Sequence, residues 1–362
     1  MCLRVKPLST SAPSPAGRRK TSANAALRSL AIGYPTALII FILALRLIGE
    51  RWWGTTIALY LPRLPFALPL VPLSVAIIWM GPRRLLWTQA AATALLLALM
   101  GLHLAWPPSA TAGAFHLRVA TCNINGGALG LHRILTPLLA TNPDVIILQE
   151  VVPEGYPKLR TLVPGYYIRE SGQFWLASRF PVEEMIEPPT RLNGGAQRSM
   201  RFVRYRITTP AGPIALYNVH PISPRDGLEG VRGDGLRQQI LRGDLFNTRA
   251  RSLVAQNTSL RLTQLQALVE SARESQDPVV IAGDTNLPGL SWAFAHWLGD
   301  YTDGFSAAGT GFGYSFPAPR TPWMRIDRIM ADRRFRFDHF RVIDSYISDH
   351  FAAMADLELT PH

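Results

Sequence analysis

Three apolar stretches occupy the first third of the chain and set it apart from the rest. Residues 29–45 and 85–106 contain no charged side chain, and residues 64–80 are also uncharged but include three prolines. Because a bilayer core needs roughly 20 apolar residues per helix, the pattern predicts about three transmembrane helices, at about residues 29–46, 62–80 and 85–106. Buried helices of a soluble protein are the alternative, but three such runs joined by short basic or aromatic loops favour a membrane.

The placement of basic residues predicts how this anchor is oriented. Positively charged residues prefer the cytoplasmic side, and they cluster at positions 18–20 and at Arg83 and Arg84. The tail, residues 1–28, is therefore expected to be cytoplasmic and disordered. Three spans then place residue 107 onward outside the cytoplasm, whereas a re-entrant segment at 62–80 would reverse that side.

After a small, uncharged linker at residues 107–114, short β-branched runs alternate with helical patterns. This alternation predicts a domain at residues 115–362 with two packed β-sheets flanked by helices. The predicted strands are 117–124, 144–148, 174–178, 202–208, 214–219, 279–282, 325–330 and 352–359, and the predicted helices are 131–140 and 259–271.

The positive charge of the chain belongs almost entirely to its N-terminal part. Residues 1–108 contain eleven Lys or Arg and one acid, while residues 109–362 contain 26 basic and 24 acidic residues. The predicted domain thus lacks the strong positive field that is typical of nucleic-acid binding. Two cysteines, Cys2 and Cys122, do not make a disulfide framework.

Polar side chains stand repeatedly at the ends of apolar strands in the predicted domain. A carboxylate there is costly unless it is paired, hydrogen-bonded or bound to metal, and strand ends in layered folds converge on one rim. We therefore expect one common site. Its candidate residues are Asn123, Glu150, Asn218, His220, Asp284, Asn286, Asp327, Asp349 and His350.

These residue types suit the cleavage of phosphoester bonds. Such cleavage needs a divalent cation and an activated water, and Mg²⁺ prefers carboxylate and amide oxygens. A neutral imidazole held by a carboxylate suits proton transfer or phosphate contact. The sequence has no phosphate-binding loop of nucleotide triphosphatases and no Gly-x-Ser-x-Gly element of serine hydrolases.

Six short segments, in order, resemble the endonuclease/exonuclease/phosphatase superfamily, which includes DNase I-like nucleases, neutral sphingomyelinases and inositol polyphosphate 5-phosphatases. The segments are Thr-Cys-Asn-Ile-Asn-Gly (121–126), Pro-Asp-Val-Ile-Ile-Leu-Gln-Glu (143–150), Tyr-Asn-Val-His (217–220), Gly-Asp-Thr-Asn (283–286), Arg-Ile-Asp-Arg-Ile (325–329) and Ser-Asp-His (348–350). The resemblance covers roughly residues 115–360 and implies an α/β (α+β) four-layer sandwich and a Mg²⁺ or Mn²⁺ cofactor.

The resemblance also implies roles for individual residues. Asn123 and Glu150 resemble the family's metal-binding pair, and Asp349 is similar to a residue near a second or shared metal position. Asn125 and Asn218 belong to the same motifs and are expected to support their neighbours. The alternative for Asn123 is that it simply caps a turn.

The remaining motif residues resemble groups that move protons or contact phosphate. Asp284 looks like the acid of proton transfer and Asn286 like the amide that orients phosphate. His350, with Asp327 behind it, looks like the general base or a phosphate contact, and His220 matches the family's second histidine. Asp327 could alternatively form a purely structural ion pair with a neighbouring arginine.

Two departures from the family pattern bear on these roles. Thr285 stands where many members have an aromatic residue, and no acid that would support His220 is identifiable in the sequence.

Substrate choice is expected to lie in the Gly- and Arg-rich segment at residues 221–258, where Arg237 and Arg242 are candidate phosphate contacts. A solvated mixed-charge loop is the alternative for this segment. The anchor favours a lipid-linked phosphate, pyrophosphate or phosphodiester at the outer membrane face. A tethered nuclease acting on DNA or RNA and an inactive binding module are the other hypotheses.

Overall fold

The computed structural model of the protein describes residues 15–106, 115–231, 233–319 and 321–360. The predicted linker 107–114 and residues 1–14 of the predicted tail lie outside the described residues. The chain divides into two compact units. One comprises the residues up to Phe41 together with Arg63–Leu99, and the other comprises Ile42–Pro62 and the chain from Met100 onward.

The N-terminal part is helical, but its helices do not match the three predicted spans. The helices are α1 (Pro15–Leu47), α2 (Trp53–Leu59), α3 (Leu70–Met80) and α4 (Leu86–Met100). Among the described residues, one helix is long and apolar enough to cross a membrane, Asn24–Leu47, or two if the pair Trp53–Leu59 and Leu64–Met80, bent by 88°, counts as one span.

The expectation of about three transmembrane helices is therefore wrong for the described residues. Helix α3 has 11 residues and α4 has 15, both short of the roughly 20 that a bilayer needs. Within predicted span 85–106, α4 stops at Met100, Gly101 has a φ of 83°, and His103–Leu104 forms strand β1. Helix α1 begins at Pro15, within the predicted tail.

The second unit contains the two predicted β-sheets. Their first strands are β2 (His116–Asn123), β3 (Val145–Gln149), β4 (Tyr167–Ser171), β5 (Phe174–Ser178), β6 (Val182–Ile186), β9 (Phe202–Thr209) and β10 (Gly212–Val219), with a separate hairpin of β7 (Thr190–Asn193) and β8 (Ala196–Ser199). The later strands are β11 (Val279–Asp284), β12 (Thr302–Asp303), β13 (Thr310–Gly311), β14 (Asp327–Ala331), β15 (Phe335–Ile343) and β16 (Ala352–Leu359). Strand β13 pairs with β1.

In the described part of the chain each main sheet has six strands. The β3 sheet has the order β15-β16-β2-β3-β5-β4, and the β10 sheet has the order β12-β14-β11-β10-β9-β6. Both are mixed, because β2–β3 and β10–β11 are parallel pairs while the other neighbours are antiparallel.

Seven helices accompany the two sheets in the described residues. They are α5 (Leu131–Leu139), α6 (Tyr156–Leu162), α7 (Pro224–Leu228), α8 (Gly233–Arg242), α9 (Thr248–Arg273), α10 (Trp292–Trp297) and α11 (Gly304–Ala308). One core, which includes Val145 and Leu216, lies between the sheets. Apolar residues of α5 and α6 cover the β3 sheet, and those of α9 and α10 cover the β10 sheet. The four layers of the sandwich are confirmed.

The segment 221–258 is largely helical. It contains α7, α8 and the first turns of α9, which begins eleven residues before the predicted helix 259–271. The side chain of Asn247 caps α9 by accepting a hydrogen bond from the backbone N–H of Ala250 at 2.9 Å.

Candidate active site

Strand ends from both sheets bring the candidate residues to one edge of the sandwich. Asn123 ends β2 and Glu150 follows its parallel neighbour β3, while His220 follows β10 and Asp284 ends its parallel neighbour β11. Asp327, which begins β14, pairs directly with Asp284 across the antiparallel ladder. The carboxyl ends of parallel strands share an edge, so the polar side chains meet there.

A cluster of oxygen atoms lies at the centre of this edge. The side-chain N–H₂ of Asn123 donates to Glu150 Oε1 at 3.0 Å and to Asp284 Oδ2 at 3.2 Å. Burial raises the pKa of Asp284 to about 7, although the nearby His350 charge opposes the shift. Glu150 has a left-handed backbone, with a φ of 54°, a conformation that is uncommon for non-glycine residues.

His350 and Asp327 form the predicted histidine–carboxylate pair. His350 Nδ1 lies 2.9 Å from Asp327 Oδ2, and His350 Nε2 lies 3.8 Å from Asp284 Oδ2. Burial disfavours a charged ring, but Asp327 and Asp284 outweigh it and raise the pKa of His350 to about 9. The structural alternative for Asp327 does not hold, because Arg325 and Arg328 both pair with Asp303 instead.

His220 has a different partner, which the sequence did not identify. Its Nδ1 lies 2.6 Å from Gln173 Oε1, a carbonyl oxygen that can only accept, so Nδ1 carries the proton. Burial, together with the charges of Arg201 and His350, lowers the pKa of His220 to about 3. The buried Nε2 has no hydrogen-bond partner among the described atoms and lies 3.4 Å from Glu150 Oε1.

The Gly-Asp-Thr-Asn segment makes a tight turn at the end of β11. A side chain at Gly283 would place its Cβ 2.2 Å from the carbonyl oxygen of Val219 on the neighbouring strand. Thr285, the departure from the family pattern, fastens this turn by donating to the carbonyl of Ile326 at 2.8 Å. Asn286 has a φ of 52°, and its backbone N–H donates to Asp284 Oδ1 at 2.9 Å.

The two supporting residues act through hydrogen bonds. The backbone N–H of Asn125 donates to Asn123 Oδ1 at 3.0 Å. Asn218 is fully buried and accepts from Gln149 Nε2 at 2.7 Å, while its own amide donates to the carbonyl of Leu148 at 3.1 Å. Because Asn218 belongs to the β10 sheet and Gln149 to the β3 sheet, this contact joins the two sheets beneath the site.

One predicted acid lies at the border of the cleft, and two predicted arginines lie apart from it. Asp349 forms an ion pair at 2.7 Å with Arg225, which lines the cleft, but does not itself line it. Arg237 and Arg242 belong to α8, and neither lines the cleft. Arg225 was not singled out from its segment, yet it lines the cleft and also stacks over Phe316, at 5.2 Å from the ring centroid.

The donor set suits a hard divalent cation. Glu150, whose side chain is 36% exposed, faces the buried Asp284, and both offer carboxylate oxygens. A further carboxylate, that of Asp327, lies close to Asp284, so an excess of negative charge faces the cleft. Asn123, however, turns its nitrogen toward these acids, so binding of a cation through its oxygen requires rotation of the amide.

Sequence reasoning missed Gln173 and Tyr60 as parts of the site. Gln173 lies in the turn between β4 and β5 and belongs to no motif, so only the absence of an acid for His220 pointed to an unusual partner. Tyr60 lines the cleft and donates from its hydroxyl to the carbonyl of Asn286 at 2.9 Å. It comes from a region that the sequence assigned entirely to the anchor.

Comparisons with known proteins find solved structures that are similar to this chain. The endonuclease/exonuclease/phosphatase of Bacteroides vulgatus is similar in structure, with 18% identity, a TM-score of 0.50 and coverage of 68% of this chain and 99% of that one. A mannosyl-6-phosphatase of Bacteroides thetaiotaomicron has 14% identity, a TM-score of 0.48 and coverage of 67% and 99%. D. rerio TDP2 complexed with a single-strand DNA product has 18% identity, a TM-score of 0.46 and coverage of 67% and 98%.

None of the curated proteins matches the chain. Residues 120–350, which include all six motifs, match the family described as the Endonuclease/Exonuclease/phosphatase family. Because the match spans well over half of the sequence and contains both sheets' site residues, the chain belongs to the endonuclease/exonuclease/phosphatase family.

Proposed function

We propose that this protein is a divalent-metal-dependent phosphoester hydrolase that is anchored in a membrane by α1. The observation that carries the proposal is the convergence of Glu150, Asp284 and His350, from three separate motifs, on one cleft. Mg²⁺ or Mn²⁺ bound there would offset phosphate charge and activate water. Glu150 would hold the cation, with Asn123 after rotation of its amide.

The chain's own residues have distinct places in the reaction. Asp284 lies between the two histidines, within 3.8 Å of His350 Nε2 and 3.6 Å of His220 Nε2, and is placed to accept the proton that the attacking water loses. His350 and Asn286 face the cleft as donors to the phosphoryl oxygens. Hydrolysis adds one water across the phosphorus–oxygen bond, and the leaving oxygen departs with a proton from solvent.

A lipid-linked phosphate, pyrophosphate or phosphodiester is the proposed substrate class. Helix α1 supports this proposal. Only 22% of its most apolar stretch of 18 residues is buried, which is more typical of a lipid-facing helix than of a core helix. An anchor raises the local concentration of the enzyme at the bilayer. The near balance of acidic and basic residues after residue 108 disfavours nucleic acid.

The proposed location of the sandwich is the extracytoplasmic side. The basic residues at positions 18–20 favour a cytoplasmic N-terminus, and α1 then crosses once. Residues 48–62 belong to the same compact unit as the sandwich and so share its side. In this proposal the side on which the sandwich lies depends on α1 alone. A reporter fused after Pro107 is expected to be active only outside the cytoplasm.

A substrate panel tests the proposal. The full-length chain in detergent, with Mg²⁺ or Mn²⁺, is expected to hydrolyse a polyprenyl pyrophosphate or sphingomyelin in preference to plasmid DNA. Turnover of DNA alone would replace the lipid substrate with a tethered nuclease. Loss of all turnover, together with no binding of Mn²⁺, would leave an inactive binding module.

A further inference from the structure

A segment next to the candidate membrane helix forms part of the sandwich unit. Residues 48–62 follow α1 and lie outside the residues 120–350 that match the family. They nevertheless belong to the same compact unit as both sheets. Within that unit α2 packs against α9, and the short 3-10 turn Gly49–Arg51 packs against α10.

Buried polar contacts fix the start of this segment. Glu50 is 5% exposed, and its carboxylate accepts hydrogen bonds from the hydroxyl of Ser291 and from the backbone N–H of Ala293 at 3.0 Å. Gly49 has a φ of 49°, and a Cβ there would lie 2.6 Å from Cβ of Trp292. A buried carboxylate is tolerated only with such partners. These hydrogen bonds therefore fix the position of the turn Gly49–Arg51 on the sandwich.

Aromatic contacts continue the attachment through α2. The ring of Trp53 lies 5.4 Å from the ring of Phe246. The guanidinium of Arg251 lies over the Trp53 ring, 4.9 Å from the centroid of that ring. Trp53 and Ile57 join an apolar cluster whose buried members are Val231, Ala250 and Val254. The segment is thus packed on the sandwich both at the turn Gly49–Arg51 and along α2.

Tyr60 ends this segment inside the catalytic cleft. It is 9% exposed and lines the cleft together with Glu150, His220 and His350. Its ring lies against the buried guanidinium of Arg261, 5.6 Å from the ring centroid. Its hydroxyl donates to the carbonyl of Asn286 at 2.9 Å.

Asn286 transmits this contact to Asp284. The residue is held in a left-handed conformation, with a φ of 52°. Its side chain donates to the carbonyl of Pro221 at 3.1 Å, and its backbone N–H donates to Asp284 Oδ1 at 2.9 Å. The hydroxyl of Tyr60 is a third restraint on the same residue, because it holds the Asn286–Leu287 peptide group. The N–H that reaches Asp284 belongs to the preceding peptide group, so loss of the hydroxyl acts on the Asp284 carboxylate through the backbone angles of Asn286.

We propose that Tyr60 is a positioning residue of the active site, and that residues 48–62 thereby complete a site whose other residues come from the family domain. Tyr60 acts through Asn286 and sets the direction of the Asp284 carboxylate. The expected effect of Tyr60 on kcat rests on the proposed hydrolase function. Its expected effect on the position of Asn286 rests on the hydrogen bonds alone.

The kinetic test compares two Tyr→Phe variants of the full-length chain on bis(4-nitrophenyl) phosphate with Mn²⁺. Tyr60→Phe is expected to lower kcat about tenfold with KM within about twofold, because a small misplacement of a reacting group slows chemistry more than binding. Tyr166→Phe is the matched control. Its hydroxyl also donates to a backbone carbonyl, that of Pro143 at 2.7 Å, but it precedes β4 at the opposite end of the β3 sheet. Equal kcat values in Tyr60→Phe and wild type would overturn the proposal.

A second measurement does not depend on activity. Amide hydrogen exchange across residues 284–291 is expected to be at least about threefold faster in Tyr60→Phe than in wild type, and unchanged in Tyr166→Phe. Unchanged exchange in Tyr60→Phe would refute the positioning role. If wild type hydrolyses nothing while exchange responds as expected, the proposed function fails and the structural inference stands.

A double-mutant cycle between Glu50 and Tyr60 tests whether the segment 48–62 acts through Tyr60. Glu50→Ala removes the buried carboxylate at Ser291 and is expected to lower kcat by a similar factor. If Glu50 acts by seating Tyr60, the double variant Glu50→Ala, Tyr60→Phe is no slower than Glu50→Ala alone, because coupled residues are not additive. Fully additive losses would show that the segment does not act through Tyr60.

Discussion

The two halves of the cleft hold histidines that are almost equally buried yet differ in charge. His220 and His350 are 3% and 4% exposed. On the β10 side, His220 faces the neutral amide of Gln173, and burial lowers the pKa of His220 to about 3. On the other side, His350 faces Asp327, and the carboxylates around it raise the pKa of His350 to about 9 despite burial.

This difference shows that the charged groups around each ring, rather than the depth of burial, decide the charge of each histidine: arginines face His220 and carboxylates face His350. A carboxylate offsets the free-energy cost of desolvating a charged imidazole. A neutral amide only determines which ring nitrogen carries the proton and does not favour the charged ring. His220 and His350 are therefore not interchangeable in this chain. We expect His350 to contact phosphate as a cation and His220 to offer a neutral lone pair.

The largest expected effect comes from removing the charged side of the cleft. His350→Ala and Glu150→Ala are each expected to lower kcat by at least roughly 100-fold, the usual scale for a group that takes part in proton transfer or cation binding. Steady-state rates on bis(4-nitrophenyl) phosphate with Mn²⁺ measure this. Near-wild-type rates in either variant would remove that residue from the site.

Asp327→Ala tests the partner of the charged ring. Loss of a hydrogen bond to a charged group is expected to lower kcat about 30-fold, since such bonds contribute about 1.5–3 kcal/mol. Asp338→Ala is the control, because Asp338 Oδ2 lies at the same 2.9 Å from Nδ1 of His116, on β15 and β2, away from the cleft residues. Equal losses in both variants would point to general destabilisation rather than to the site.

Gln173→Ala tests the neutral side and is expected to cost less. A neutral hydrogen bond contributes about 0.5–1.5 kcal/mol, so we expect kcat to fall about fivefold. The ratio between this loss and that of Asp327→Ala is the useful quantity. A larger loss in Gln173→Ala than in Asp327→Ala would contradict the distinction between the two histidines.

The smallest effect is expected at α8. Arg237→Ala and Arg242→Ala are each expected to change kcat/KM for a soluble phosphodiester by less than about twofold, since surface substitutions away from a site cost little. Arg225→Ala is the comparison from the same segment, because Arg225 lines the cleft. A loss of tenfold or more in Arg237→Ala or Arg242→Ala would place α8 in contact with substrate.

Much of the site is predictable from the sequence because a polar residue at the end of a buried strand is destabilising unless it has a partner, so several of them indicate a common site. Asn123, Glu150, Asp284 and His350 were found from that pattern and from the motifs, and the structure brings them together. The partner of His220 was not predictable. Gln173 is a neutral residue in a turn, far from His220 in sequence, and only the fold brings the two together.

The elements that escaped prediction have local reasons. Strand β15 begins with the alternation of Phe335 and Phe337, but a bulge between Phe337 and His339 breaks the period of two. Helices α7 and α8 contain or adjoin several glycines, whose low helix propensity hides both helices in the sequence. In the fold, packing of α7 onto α9 compensates for this low propensity. The apolar runs in α3 and α4 suggested full spans because hydropathy alone does not show where a helix stops.

The most direct test of the account is hydrolysis of bis(4-nitrophenyl) phosphate by the full-length chain with Mn²⁺, with EDTA, and by Glu150→Ala with Mn²⁺. We expect turnover by wild type with Mn²⁺, loss of turnover in EDTA and its recovery when Mn²⁺ is restored, and a rate at least roughly 100-fold lower in Glu150→Ala. Turnover that persists in EDTA, or that survives in Glu150→Ala, would contradict a cation held against phosphate by these strand-end side chains.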